Sequence, residues 1–282
     1  MPSREEMSYE LNEVSWWAKW VDETIWVSKN CYAIFSDAFK DEFFYNRGGF
    51  LGAERVPDDA VEAIETEFAK RERATPFVLV EEGRPWEKLR TALFSRGYAV
   101  RDRMLVMEIP RGAKSKSAPN PEVELTVVGS RSKGKELQEW TRTYLQAFYG
   151  DEKLYDVVSK IMRKVVKDKK ASVILARVER APAGCAVLYR SAGGVAGAYC
   201  IGTAPSFRGR GVAATMLKHM REVAEGEGRQ LVLQTLASDS VEGLYLKQGF
   251  RLAYKKTIYE RRPKKKLEQA VSSGEALGVT IN

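Results

Sequence analysis

The sequence predicts an α/β (α+β) fold in which a mixed, partly parallel central sheet is flanked by helices. Apolar runs of strand length alternate with amphipathic segments of helix length through most of the chain. A tight turn joins two such strands, 172–178 and 183–189, which makes that part of the sheet antiparallel. The later strand–helix–strand order over 195–236 requires a crossover between parallel strands, so the sheet is mixed.

The second half of the chain supports this fold class element by element. The spacing of Leu137, Trp140 and Leu145 places them on one face of a helix, whereas Val123 and Leu125 alternate along a strand. In chain order the pattern predicts a strand, two helices, three strands, a helix, a strand, a short helix and a strand, at 122–128, 133–148, 152–167, 172–178, 183–189, 195–202, 211–226, 231–236, 240–248 and 250–259.

The first half resembles the second in the order of its predicted elements, with weaker sequence signals. We predict helices at 58–73 and 86–95 and strands at 32–35, 42–45, 76–81 and 104–109. In the first half, the order helix, strand, helix is followed by Gly97-Tyr98 and a strand. The second half ends in the same order, with Gly249-Phe250 before its last strand. This order indicates an internal duplication and therefore two domains.

The domain boundary is predicted by a change in composition. Residues 111–121 have no hydrophobic periodicity and are rich in Lys, Ser, Ala and Pro, which is typical of a linker. We expect one domain at 1–110 and another at 122–262. Residues 263–282 form a basic and then polar tail, which we expect to be flexible.

Composition limits the class of protein. The chain has 282 residues, 44% hydrophobic and 30% charged, without an apolar run of membrane-spanning length or a signal peptide. We therefore expect a cytoplasmic protein that does not bind membranes. The net charge of +8 suits an anionic ligand such as a nucleotide cofactor. Nucleic acid is less favoured but stays open through the basic tail, and the oligomeric state is left open.

Metal and histidine chemistry find little support. The three cysteines are widely spaced, and two of them, Cys185 and Cys200, lie in apolar runs, as buried small hydrophobes do. His219 is the single histidine and has neither a second histidine nor a carboxylate motif beside it. We therefore expect no metal site.

The clearest functional signal is the loop 208–213, which follows a predicted strand and opens a predicted helix. Gly209 and Gly211 let the backbone approach a ligand, and the unpaired N–H groups of the helix start point toward it. Arg208 and Arg210 add positive charge and forked hydrogen-bond donors. The pattern predicts a diphosphate site.

Two motifs together resemble the GNAT family of acetyl-CoA-dependent N-acetyltransferases. The family signature Gln/Arg-x-x-Gly-x-Gly/Ala is met by Arg208, Gly211 and Ala213, and the Leu-Tyr-x-x-x-Gly-Phe ending is met by residues 244–250. The two occur in the family's order with a helix and a strand between them. Residues 122–262 are thus identified as similar to an intact GNAT domain, and the whole chain resembles a tandem arrangement with a degenerate first half.

The resemblance implies a role for each matching residue. The backbone amides of the loop would hold the diphosphate of acetyl-CoA, namely those of Gly209, Arg210, Gly211, Val212 and Ala213. The strand end Ile201, Gly202 and Thr203 would pair with the pantetheine arm, and an N–H there would polarise the thioester carbonyl. Tyr245 would protonate the departing thiolate.

The second half departs from the family pattern at two places. Many members have Asn seven residues before the tyrosine, where this chain has Ser238, a shorter group that we also expect at the cofactor. Many carry a glutamate base on the strand before the loop, but 195–202 contains no carboxylate. The base is therefore open between a water chain, a residue of the first domain, and none if the amine arrives deprotonated.

The first half lacks the chemistry that the second half carries. Leu93 stands where Tyr245 does, and Asp58 and Asp59 at the first helix would repel a diphosphate. Arg47-Gly48-Gly49 is glycine-rich but too early in the chain to match the loop. We expect the aromatic cluster to serve as core or interdomain packing; its members are Trp16, Trp17, Trp20 and Trp26.

The function that follows from the resemblance is transfer of an acetyl or other short acyl group from coenzyme A to a primary amine, by direct attack in a ternary complex. Two alternatives stay open: a non-catalytic acyl-CoA-binding regulatory module, and a ribosome- or RNA-associated protein acetyltransferase. The acceptor is not encoded in any motif that we recognise, and it could be an amino acid, a polyamine, an aminoglycoside-like compound or a protein N-terminus.

Overall fold

The fold is given by a computed structural model, which describes residues 4–40, 42–51, 59–80, 85–110, 112–113, 115, 118–129 and 134–261. The α-helices in these residues are α1 Arg4–Trp17, α2 Ala60–Ala69, α3 Pro85–Ser95, α4 Lys135–Phe148, α5 Tyr155–Val165, α6 Val212–Gly226 and α7 Glu242–Lys247. The strands are β1 Glu23–Ser28, β2 Cys31–Phe35, β3 Arg47–Phe50, β4 Phe77–Val80, β5 Tyr98–Glu108, β6 Val123–Val128, β7 Ala171–Val178, β8 Ala181–Arg190, β9 Val195–Thr203, β10 Gln230–Leu236 and β11 Arg251–Arg261.

All eleven strands join in one sheet, in the order β1-β2-β3-β4-β11-β5-β10-β9-β8-β7-β6. The pairs β3–β4 and β9–β10 are parallel, whereas the other neighbours run antiparallel. Helices cover both faces: on β8, Ala186 and Leu188 pack in the cluster of α6, whereas Cys185 and Val187 pack in the cluster of α4 and α5. The predicted mixed, partly parallel sheet flanked by helices is thereby confirmed.

The last strand of each half lies in the sheet of the other half. Strand β5 of the first half pairs with β10 of the second, with Glu108 opposite Val232. Strand β11 of the second half pairs with β4 of the first, with Lys256 opposite Val80. The sheet is therefore continuous across the linker, and the division into domains at 111–121 stays a prediction about the sequence.

Helix α1 crosses the middle of the sheet and was not predicted, because much of its buried face is polar. Tyr9 donates a 2.5 Å hydrogen bond to Glu108 on β5, and Tyr254 on β11 donates one of 2.7 Å to Glu10. Asn12 accepts a 2.6 Å hydrogen bond from Tyr199 on β9. From sequence alone, an acidic and polar segment is expected to lie on the surface. Here its hydrogen-bond partners lie on strands of both halves, which allows the helix to be buried.

Other differences from the predicted elements lie in the first half. Residues 42–45 form a turn and not a strand; the strand is β3, and β1 was missed. In β3 a Cβ at Gly48 would lie 2.7 Å from the Ile64 side chain, and one at Gly49 would lie 2.3 Å from the ring of Tyr32. These glycines therefore allow close packing against the strand. Because they are not apolar side chains, the hydrophobic pattern of the sequence did not predict a strand here.

The four tryptophans that we predicted to form one aromatic cluster do not all lie together. Trp16 and Trp20 are buried in one core with Trp140 of α4, and Trp17 stacks on Phe44. This confirms packing between the halves for three of the four residues. The prediction is wrong for Trp26, which is 47% exposed and lies on the edge strand β1. The tail 263–282 and part of the linker lie outside the described residues, and no helix within the described ranges is long and apolar enough to cross a membrane.

Candidate functional site

The sheet opens between β9 and β10. The two strands pair in parallel from Val195 opposite Gln230 to Ala198 opposite Leu233, and both then continue beyond the end of this pairing. In β9 the register against β8 shifts at Cys200, which has a left-handed φ of 53°. A bulge of this kind bends the strand, so the carboxyl ends of β9 and β10 diverge.

One wall of the opening is the end of β9, with Ile201 and Thr203 half-buried and Gly202 buried. A Cβ at Gly202 would lie 2.8 Å from the Cβ of Ala147 and 2.8 Å from the ring of Phe148. Glycine at this position lets the C-terminal turn of α4 close down on the strand. The strand end is thereby held rigidly on the face of the sheet that carries α4.

The predicted diphosphate loop lies on the other face, at the start of α6. Gly209 and Gly211 have left-handed φ angles of 78° and 75°, and Gly211 is the N-cap of the helix. A Cβ at Gly209 would meet no atom within 4 Å, so the loop is open to a ligand. The first turn of α6, which begins at Val212 and Ala213, contains no acidic residue. Its unpaired N–H groups and positive dipole end suit an anion, and the residues present therefore fit a diphosphate.

The two loop arginines differ in their surroundings. Arg208 donates hydrogen bonds to the carbonyls of Thr203, at 3.4 Å, and Ala147, at 3.3 Å, which ties the loop to β9 and α4. Arg210 is paired with Glu179 at 2.8 Å and stacks over Phe207. Arg210 would therefore have to leave a carboxylate to contact a phosphate, whereas Arg208 has only neutral partners among these contacts.

A linker residue that we did not single out supports the loop from behind. The side-chain amide of Asn120 donates a 2.9 Å hydrogen bond to the carbonyl of Arg210, and its backbone N–H donates one of 3.0 Å to Thr215 on α6. A Cβ at Gly211 would lie 3.3 Å from the Cβ of Asn120. In the sequence the Asn-Pro dipeptide signals only a turn, so this contact was not predictable.

Tyr245 lies on α7 beside the diverging part of β10. It is 8% exposed. Burial, with a smaller contribution from the charge of Asp239, raises the pKa of Tyr245 to about 12. The phenol thus keeps its proton at neutral pH, as a proton donor must.

Ser238 lies next to the first half of the chain. It is exposed, and its hydroxyl donates a 2.5 Å hydrogen bond to Asp102 on β5. Desolvation and the nearby Asp102 carboxylate raise the pKa of Asp239. Strand exchange therefore brings a first-half carboxylate to the end of β10, and the place of Ser238 at a cofactor stays a prediction.

A cluster of tyrosines and one glutamate covers the α4 side of the opening. Tyr149, the C-cap of α4, donates a 3.1 Å hydrogen bond to Glu42, and the hydroxyls of Tyr45 and Tyr144 lie 3.2 Å apart. Burial raises the pKa of Glu42, which the hydrogen bond from Tyr149 partly offsets. No sequence signal identified this cluster, because Glu42 comes from the first half and precedes β3.

A cavity of about 710 Å³ lies at the same sheet edge, in the first half, and Glu42 is the one residue that it shares with this cluster. Its walls carry charged and aromatic side chains, among them Asp37, Lys40, Glu42, Phe43 and Arg73 of the first half and Glu260 of β11. The edge is shared because the carboxyl ends of β2, β9, β10 and β11 and the amino ends of β3 and β4 all lie there.

The remaining candidates lie apart from the opening or are unsuited to catalysis. Burial raises the pKa of the Cys185 thiol, which makes it a poor nucleophile. His219 lies half-buried within α6. In the part of the chain that the structure describes, no group of three or more His, Cys, Asp or Glu side chains could hold a metal ion.

Comparison with known proteins agrees with this geometry. A family model described as an acetyltransferase (GNAT) domain matches residues 169–252, which span β7 to the start of β11. Residues 169–252 form a GNAT acetyltransferase domain. The match contains the opening, the glycine loop and Tyr245, whereas Asn120, Tyr149 and Glu42 lie outside it.

Solved structures extend the likeness to most of the chain. A GCN5-related N-acetyltransferase from Kribbella flavida has a TM-score of 0.67 at 17% identity, covering 91% of this chain and 95% of that one. One from Sphaerobacter thermophilus has a TM-score of 0.64 at 14% identity, covering 83% and 78%. A tandem GNAT protein from the clavulanic acid biosynthesis pathway has a TM-score of 0.56 at 13% identity, covering 83% and 79%. At these identities the likeness establishes the GNAT fold, and no curated protein matches the sequence.

The predicted loss of the cofactor loop and of the tyrosine in the first half is not tested by these comparisons. Leu93, which stands where the GNAT domain has Tyr245, is fully buried on α3. Asp59 is the N-cap of α2, and Asp58 lies outside the described residues. That the first half is a degenerate GNAT copy therefore stays a prediction.

Proposed function

We propose that the protein is an acyl-CoA-dependent N-acyltransferase that moves an acetyl or other short acyl group to a primary amine. One observation carries the proposal: the opening between β9 and β10 has a glycine loop at a helix N-terminus on one face and a protonated, buried Tyr245 at its β10 side. An anion site and a proton donor at one strand opening are what transfer from a diphosphate-bearing thioester requires.

The residues of the GNAT domain would divide the binding of acyl-CoA between them. The N–H groups of Gly209, Gly211, Val212 and Ala213 would hold the diphosphate, with Arg208 as the flanking cation. The N–H of Arg210 already donates a 3.4 Å hydrogen bond to the carbonyl of Phe207. The pantetheine arm would lie along the diverging end of β9, at Ile201, Gly202 and Thr203, as an added strand does. A backbone N–H there would stabilise negative charge on the carbonyl oxygen of the thioester.

Bound acyl-CoA would supply an activated acyl carbon on a thiol leaving group. Tyr245 would give its proton to the sulfur as the carbon–sulfur bond breaks. The acceptor amine would approach from the α4 side, opposite α6. The main contribution of the protein would be to hold both reactants in the attacking geometry.

The experiment that tests the proposal has a binding part and a transfer part. Titration calorimetry with acetyl-CoA should give one site per chain, because Asp58 and Asp59 stand in the first half at the helix start where the second half has its glycine loop. Release of free coenzyme A thiol should then be followed with separate pools of amino acids, polyamines, amino sugars and short peptides. Binding without thiol release in any pool would support a non-catalytic acyl-CoA-binding module, and the absence of binding would contradict the proposal.

A further inference from the structure

Side-chain hydrogen bonds join the described residues between β2 and β3, 36–40 and 42–46. The side chain of Asn46 accepts a 3.0 Å hydrogen bond from the Ser36 N–H and donates one of 2.6 Å to the Phe39 carbonyl. Arg73 donates a further 2.6 Å hydrogen bond to the side-chain oxygen of Asn46. A loop braced in this way presents its outer residues in a fixed place.

This loop packs near the ends of both strands of the opening. On the β9 side, Glu42 accepts the hydrogen bond of Tyr149, two residues after Ala147, which closes on Gly202. On the β10 side, Phe44 packs in one apolar cluster with Leu236, the last residue of the strand. The first half therefore packs beside the ends of β9 and β10, and Glu42 is an acidic residue at this contact.

The surroundings of Glu42 leave its charge available. Its side chain is half-buried, and among the described residues no lysine or arginine forms an ion pair with it. The hydrogen bond from Tyr149 occupies one carboxylate oxygen, Oε2. Glu42 and Phe43 are among the residues that line the first-half cavity of about 710 Å³, so the carboxylate is accessible to a small molecule from that side.

We propose that Glu42 binds the ammonium group of the acceptor and acts as the general base of the transfer, so that the first half completes the active site. This inference rests on the proposed acyltransferase function. Glu42 takes one proton from the ammonium, and the freed lone pair forms the carbon–nitrogen bond while the carbon–sulfur bond breaks. The sulfur takes the proton of Tyr245, and the second proton lost by the nitrogen restores Tyr245. The products are the amide, the free thiol and one proton on Glu42, which passes to solvent.

A general base is needed only by an amine that arrives protonated, and this provides the test. Ethylamine is protonated at neutral pH, whereas 2,2,2-trifluoroethylamine is neutral there because its fluorines withdraw electrons from the nitrogen. Both amines should be offered in excess with acetyl-CoA to the full-length protein and to Glu42→Gln. We expect turnover of ethylamine to fall by about 100-fold in the variant, the usual scale for one acid–base group. Turnover of trifluoroethylamine should change by less than about threefold.

The controls separate this role from folding and from the proposed function. Glu152→Gln removes an exposed carboxylate three residues from Tyr149 and should leave both rates unchanged. Acetyl-CoA affinity and melting temperature of Glu42→Gln should match those of the unaltered protein. Equal losses with both amines, or no loss with either, would overturn the role of Glu42 alone. If the unaltered protein accepts neither amine, the amine that releases thiol in the pool screen replaces them, at pH values below and above its pKa, and an equal loss in Glu42→Gln at both pH values would overturn the role of Glu42. The absence of thiol release in every pool would contradict the transfer activity and this role with it.

Discussion

The side-chain amide of Asn120 donates a 2.9 Å hydrogen bond to the carbonyl oxygen of Arg210, which joins the linker to the glycine loop of the GNAT domain. The same residue contacts Thr215 through its backbone, so it fixes the loop to the first turns of α6. A segment that connects the two halves thus also shapes the predicted diphosphate site.

Replacing Asn120 by Ala should therefore weaken acyl-CoA binding without removing a ligand contact. Loss of one hydrogen bond to a loop carbonyl costs about 1 kcal/mol, which corresponds to roughly a fivefold rise in the dissociation constant for acetyl-CoA. Titration calorimetry would measure it. Ser115→Ala, a linker change that removes a 3.2 Å hydrogen bond to Gln248, is the matched control and should bind normally. Equal affinities for Asn120→Ala and the unaltered protein would show that the loop holds its shape unaided.

A change at Gly211 should affect the diphosphate site directly. Gly211→Asp puts a negative charge at the N-terminus of α6 and a side chain on a residue with a φ of 75°. We expect the dissociation constant for acetyl-CoA to rise at least about tenfold, or roughly 1.4 kcal/mol. Gly228→Asp is the control, since Gly228 also has a left-handed φ, of 66°, but follows the far end of the helix. Unchanged calorimetric binding in Gly211→Asp would place the cofactor elsewhere.

Removing the phenol of Tyr245 should separate chemistry from binding. Tyr245→Phe keeps the buried ring against Phe250 but deletes the proton donor. Turnover, followed as thiol release, should fall by about 100-fold while acetyl-CoA affinity stays within about twofold. Tyr155→Phe, a change on α5, serves as the control and should be fully active. Full turnover by Tyr245→Phe would mean that water or another group protonates the sulfur.

Strand exchange predicts how the two halves behave when they are separated. A fragment of residues 122–282 would lack β5, so it would expose the edge of β10 and leave β11 without its two neighbours. We expect this fragment to aggregate when produced alone, because unpaired strand edges recruit other chains. Production together with residues 1–121 should restore a soluble complex that binds acetyl-CoA. Size-exclusion chromatography checks both outcomes, and a monomeric, acetyl-CoA-binding 122–282 would show that the halves fold independently.

The predicted elements of the GNAT domain were nearly complete because its signals are local. A glycine loop before an amphipathic helix, and a tyrosine at a fixed distance from Gly-Phe, are patterns within a few residues. The first half was harder, since β3 consists largely of small residues and α1 buries polar ones. Such segments have no periodic apolar face, so their place depends on partners far away in the chain.

By itself the sequence determined the fold class, the glycine loop before a helix and the place of Tyr245 before Gly-Phe, because each follows from residues that are close together in the chain. The tertiary structure decided which groups meet at the opening. Exchange of β5 and β11 brought Asp102 to Ser238, and the β2–β3 loop brought Glu42 to Tyr149. These contacts join residues about a hundred or more positions apart, and only packing of the two halves into one sheet brings them within hydrogen-bond distance.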